Sequence, residues 1–114
     1  MSRNYLLFLD DMRDAASRIV RYKDGMTREE FLADDKTYDA VIRQMMIIGE
    51  AAKQIPQEAR VLYPGVDWGG MGRFRDLAIH HYFGIDNRIV WNIVDAEVPE
   101  LLVALKTDTP GTNG

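Results

Sequence analysis

The chain contains two histidines, His80 and His81, and no cysteine, so proton-transfer and nucleophilic chemistry at neutral pH has few places to reside. Without a thiol there is no Cys nucleophile, no thiolate metal site and no disulfide framework. Both histidines lie in Arg73-Phe74-Arg75-Asp76-Leu77-Ala78-Ile79-His80-His81-Tyr82-Phe83-Gly84-Ile85-Asp86, where arginine, imidazole and phenol gather close to a helix-ending glycine. This combination suits phosphoryl chemistry. An imidazole can accept a proton from a 2′-hydroxyl or give one to a leaving 5′-oxygen. A guanidinium offers a planar, permanently charged fork for phosphate oxygens. RNA is the substrate that fits, because its 2′-hydroxyl is an internal nucleophile and no metal or cofactor is required. The expected catalytic pair is Arg75 and His80, with Asp76 and Arg73 as phosphate-binding or orienting residues.

Helical geometry qualifies this. At roughly 100° per residue, Arg75 and His80 differ by roughly 140° and do not form one stripe. Arg75 and Tyr82 share nearly the same azimuth. Asp76 and His80 stand at i and i+4, which leaves two roles open to the Asp76 carboxylate: orienting the ring and favouring its charged form, or repelling phosphate. A two-fold axis that sets two such helices around one cleft would bring Arg75 and His80 to bear on one phosphate, which predicts a homodimer.

The elements that must position these residues read as helices throughout. Tyr5, Phe8, Leu9, Met12, Ala15, Ala16, Ile19 and Val20 recur with the spacing of an amphipathic helix, which Gly25 ends. Thr27-Arg28-Glu29-Glu30 is a capping box opening a short helix. Residues 35 to 55 repeat the amphipathic pattern, Pro56 suits the N1 position of a further helix running through 57 to 63, and 66 to 72 reads as a glycine-rich loop around Trp68. A third long helix is expected from about Met71 to Phe83, and a last one from an Asp86 cap, bent near Glu97-Val98 ahead of Pro99. The expectation is an all-α, up-and-down bundle of four to five helices in one domain, 1–106, with a disordered tail, 107–114.

Arg75 followed after four residues by His80-His81-Tyr82 resembles the R-x4-H-x-Y motif of the HepT-like HEPN ribonuclease toxins. The flanks are similar too: Asp39-Ala40-Val41-Ile42-Arg43, Ile47-Ile48-Gly49-Glu50-Ala51-Ala52-Lys53, Tyr63-Pro64, Trp68, Ile89-Val90-Trp91 and Val98-Pro99-Glu100-Leu101. The resemblance spans about Tyr5 to Leu105. It implies a metal-independent endoribonuclease on a HEPN-like bundle, the toxin subunit of a toxin–antitoxin pair, acting as a homodimer. It also implies a nucleotidyltransferase antitoxin that silences the toxin by attaching AMP to Tyr82, where added bulk and negative charge would occupy the place of an RNA phosphate. The chain departs from the family pattern at Asp76, where Asn is frequent, and at Phe74, where Met is frequent.

Composition bounds these readings. The 114 residues carry 14 Lys+Arg against 18 Asp+Glu, a net charge of −4, which argues against a generic nucleic-acid coat and makes any RNA contact local. No apolar run approaches the roughly 20 residues of a membrane span, and no secretory signal is evident, so the expected location is cytoplasmic. Gly70-Met71-Gly72 fails as a phosphate loop because no strand precedes it. Met45 and Met46 read as core, Trp91 as an anchor of the last helix, Glu50 and Lys53 as a solvated pair beside small packing residues, and His81 as surface. The rival reading is a non-catalytic helical adaptor for a partner nucleotidyltransferase.

Overall fold

The computed structural model describes residues 4–80 and 86–107. Among the described residues, seven α-helices and one π-helical segment follow in order: α1 (Asn4–Lys23), α2 (Arg28–Ala33), α3 (Asp35–Lys53), α4 (Gln57–Arg60), α5 (Trp68–His80), α6 (Asn87–Asn92), the π segment Ile93–Glu97 and α7 (Val98–Thr107). No strand occurs among the described residues. The long elements pack as an all-α bundle in which α3 lies between α1 and α5, and α1 also contacts α7.

Local chemistry sets most of the boundaries. Gly25 takes φ +77° after α1, a conformation that favours glycine. The Thr27 capping box forms, with the Glu30 N–H donating to Thr27 Oγ1 at 3.1 Å and the Thr27 N–H donating to Glu30 Oε1 at 2.9 Å. Asp34 caps α3, and the Thr37 N–H bond holds its carboxyl below the ordinary value. Asp86 caps α6 in the same way, and hydrogen bonding from Arg88 lowers its carboxyl. The core is continuous: Leu9, Met12 and Ile19 of α1 meet Val41, Met45 and Ile48 of α3, with Phe74 of α5 and Leu105 of α7, all fully buried.

Several details differ from expectation. The stretch 66–72 is not a loop: α5 begins at Trp68, because Asp67 caps it by accepting from the Gly70 N–H at 3.0 Å. Pro56 is the N-cap of α4 and not its first residue, and α4 is a single turn. Met46 is 39% exposed, whereas Met45 is core. The irregularity ahead of Pro99 is a π segment in which the Val98 N–H donates to the Ile93 carbonyl; one wider turn accommodates a residue that cannot donate and whose ring crowds the preceding carbonyls. Thr107 belongs to α7. The remaining tail, 108–114, lies outside the described residues.

Two arginines finish helix ends. Arg13 donates from Nε and Nη2 to the Leu105 carbonyl at 3.3 and 3.1 Å, and Arg60 donates to the Ala52 and Ile55 carbonyls at 3.1 and 2.9 Å. Each satisfies carbonyls that a helix end leaves without an intrahelical partner. Arg60 also lies over the Trp68 ring at 5.4 Å, while the Trp68 indole N–H lies 3.2 and 3.3 Å from the Arg60 and Tyr63 carbonyls. The start of α5 is thereby fixed to the end of α3.

At Gly49 the helices α3 and α5 approach closely. A Cβ there would fall 2.6 Å from Arg75 Cβ and 2.8 Å from the Arg75 backbone nitrogen. Alanine inside a helix ordinarily stabilises by up to about 1 kcal/mol over glycine. At position 49 the sign is expected to reverse: Gly49→Ala should destabilise by about 1–3 kcal/mol through overpacking. Gly72→Ala, at a site where an added Cβ meets nothing within 4 Å, should be neutral or stabilising. Urea unfolding of the two variants beside wild type measures the contrast, and equal midpoints would show that α5 can shift away from α3 without cost.

Candidate active site

Arg75 sits in the middle of α5, where the Gly49 contact presses its backbone against α3. From there its guanidinium reaches Glu50 of α3, with Nε 2.6 Å from Oε2. The Nε–H is not directed along this line, so the contact is a close ion pair without an aligned hydrogen bond, and Nε is buried. Arg75 Nη1 lies 3.7 Å from Asp76 Oδ1. A third of the side chain remains exposed. Lys53, one turn along α3, places Nζ 3.7 Å from the same Glu50 oxygen. Two cations therefore share one carboxylate at the surface of the α3–α5 seam.

His80 is exposed in the last described turn of α5, and its Nδ1 lies 2.8 Å from the Asp76 main-chain carbonyl. A carbonyl can only accept, so Nδ1 carries the proton, and in the neutral ring the lone pair is on Nε2. The contact to the ring comes from the Asp76 main chain. Its carbonyl orients the ring, whereas its carboxylate faces Arg75. The reason is geometric: a helical carbonyl points along the axis toward residue i+4 and has a second lone pair to offer, while a short Asp side chain points back toward the N-terminus. The choice between Asp and Asn at 76 is thus separate from ring orientation. Asp76 nevertheless connects the two expected catalytic residues, one through its side chain and one through its main chain.

Arg73 is held elsewhere. Two residues from Arg75, it turns to the opposite flank of α5 and pairs with Glu97 of the π segment, whose other carboxylate oxygen accepts from Asn92 Nδ2 at 3.1 Å. It ties α5 to the last helical rod and is not beside Arg75. His81 and Tyr82 lie outside the described residues, so the structure assigns no position to the expected AMP acceptor.

Glu50 is the residue of this site that sequence reasoning placed in a different role. Its spacing from Lys53 announced a solvated i,i+3 pair, and the small residues Gly49, Ala51 and Ala52 announced close packing. Nothing along the chain stated that the helix approaching Gly49 would bring Arg75, 25 positions later, onto the neighbouring carboxylate. The signal available was adjacency: a charged residue next to a packing glycine lies at the edge of whatever packs there.

The profile of the HepT-like ribonuclease family matches residues 12–107, which include Glu50, Arg75 and His80. Among curated relatives, the chain is 48% identical over 92 residues to a Methanocaldococcus jannaschii protein named as an RNase, MJ0127, covering 81% of this chain and 76% of that protein. It is 42% identical over 101 residues to a Thermococcus cleftensis protein named as a ribonuclease HepT, covering 89% and 92%. It is 34% identical over 94 residues to a Caldanaerobacter subterraneus protein named as an RNase, TTE0752, covering 82% and 84%. No solved structure gives a significant match. With a helical bundle, an Arg75–His80 motif helix and a family match over most of its length, the chain belongs to the HepT-like ribonuclease family.

Proposed function

We propose that this chain is the endoribonuclease toxin subunit of a toxin–antitoxin pair and that it cleaves RNA without a metal. The observation that carries the reading is the placement of Arg75 and His80 around Asp76 on α5, in a chain whose curated relatives are named as ribonucleases. The RNA 2′-oxygen attacks the adjacent phosphorus, the bond to the 5′-oxygen breaks, and a 2′,3′-cyclic phosphate forms. His80 Nε2 accepts the 2′-hydroxyl proton or, when protonated, donates to the departing 5′-oxygen. Arg75 faces the charge that develops on the non-bridging oxygens.

Support for a homodimer comes from the groove between α1 and α3, a space of about 340 Å³ lined by Phe8, Asp11, Met46, Ile47, Glu50, Ala51 and Gln54. Leu7, one turn ahead of Asp11, is 64% exposed, and exposed apolar side chains beside a groove are the usual mark of a contact surface. Since Glu50 lines this groove and also pairs with Arg75, a second copy seated there would meet the motif helix of the first. Regulation is proposed on the family resemblance: a nucleotidyltransferase antitoxin transfers AMP to Tyr82, and the cytoplasm is where both partners and RNA would meet. No helix among the described residues is long and apolar enough to cross a membrane.

His80→Ala should lower RNA cleavage by about 10²–10⁴-fold with the fold intact, the range expected for a general acid–base residue. Arg75→Lys should lose most activity, since a point ammonium cannot reproduce two parallel contacts to phosphate. Incubating each purified protein with total RNA and a chelator, beside its circular dichroism spectrum, checks both. Undiminished cleavage by both variants would remove them from the chemistry, and a wild type inert toward RNA would favour the adaptor reading. Light scattering at micromolar concentration should return twice the chain mass, and a strict monomer would discard the paired-helix cleft. After co-expression with the nucleotidyltransferase, intact-mass analysis should show one added AMP, absent in Tyr82→Phe; persistence of the added mass would move the acceptor elsewhere.

A further inference from the structure

The Arg75 guanidinium is held closely by its Nε edge against Glu50, and its Nη1 lies 3.7 Å from the exposed Asp76 carboxylate. Its Nε is buried against α3 within 2.6 Å of Glu50 Oε2, while a third of the side chain stays accessible, so the solvent-facing part of the fork is its terminal nitrogens. An arginine on a helix surface otherwise samples many rotamers, and only a fraction of them would present both terminal N–H groups to a phosphate. Glu50 is anchored independently of Arg75, on the long helix α3 and next to the glycine against which the Arg75 backbone packs. The contact that sets the distance between the helices therefore also sets the distance between carboxylate and guanidinium. Lys53 shares the same Glu50 oxygen, so Glu50 by itself does not neutralise the two cations, and Asp76, 3.7 Å from Arg75 Nη1, is the second carboxylate of the cluster.

We propose that Glu50 is a positioning residue for RNA cleavage: it fixes the Arg75 fork by its Nε edge and turns the terminal nitrogens toward the scissile phosphate, with Lys53 balancing its charge. The inference rests on the ribonuclease reading given above. Glu50 touches neither substrate nor the reacting atoms and acts through Arg75. Its worth is therefore in turnover, because a mobile guanidinium can still attract RNA but meets the transition-state charge in fewer orientations.

The test is a double-mutant cycle on the full chain with a single-stranded RNA oligonucleotide as substrate. Glu50→Gln should lower kcat about tenfold or more while KM stays level or falls, since a negative charge leaves the RNA-facing surface. In the Arg75→Lys background the same substitution should change kcat less than about twofold, because the group it acts through is already lost. Equal losses in the two backgrounds, or a rise in KM with kcat unchanged, would overturn the proposal. A second readout does not need activity: in ¹H–¹⁵N spectra the Arg75 Nε–H should be protected from solvent exchange in wild type and exposed in Glu50→Gln. Unchanged protection in Glu50→Gln overturns the proposal outright. Loss of protection in a chain that fails to cut RNA supports the positioning role and overturns the ribonuclease reading instead.

Discussion

Between α3 and α5 two helix backbones approach so closely at Gly49 that a single added carbon would overlap Arg75. The geometry of the candidate site depends on this contact. Helix axes ordinarily stay about 8–10 Å apart because side chains intervene, and a glycine at the crossing removes the intervening side chain on one partner. The neighbours of the contact then occupy fixed places, with Glu50 on the rim facing the guanidinium and Ala52 one turn on, buried in the seam. The same contact needs a second anchor, since one point leaves α5 free to pivot. The Trp68 corner supplies it: indole N–H contacts to two carbonyls, with the Arg60 guanidinium over the ring, tie the first residue of α5 to the segment that follows α3.

Charge on this helix is sorted by flank. Arg73 is bound to Glu97 on the side of the π segment, and Arg75 to Glu50 on the side of α3, so two arginines that look equivalent in sequence have different surroundings. Exposed pairs of this kind contribute little to stability, with a median near 0–1 kcal/mol. Their effect is on where a cation points. For a protein with a net charge of −4, that direction decides where on the surface a local positive feature lies.

The main-chain bond to His80 has a similar consequence. A ring held through Nδ1 by a carbonyl keeps one tautomer whatever the side chain at position 76, so this chain's Asp in place of the family's frequent Asn leaves the imidazole orientation alone. What the carboxylate changes is the electrostatic setting of Arg75, whose Nη1 lies 3.7 Å away.

The sequence by itself determined the helices and the candidate groups for the chemistry. Apolar residues at helical spacing defined α1 and α3, the Thr27 box and the Asp86 cap defined two starts, and two histidines with no cysteine narrowed the candidates to the segment around 80. Each of these rests on interactions within about four residues, which a linear pattern records. The start of α5 was misread because three glycines outweighed one capping aspartate, and Met46 because periodicity does not say how wide a buried face is. What only the tertiary structure decided was the pairing of groups far apart in sequence: Arg75 with Glu50, Arg73 with Glu97, Trp68 with the α3–α4 corner. Such pairings follow from which helix faces meet and how closely, a property of two surfaces packed together that no single segment carries.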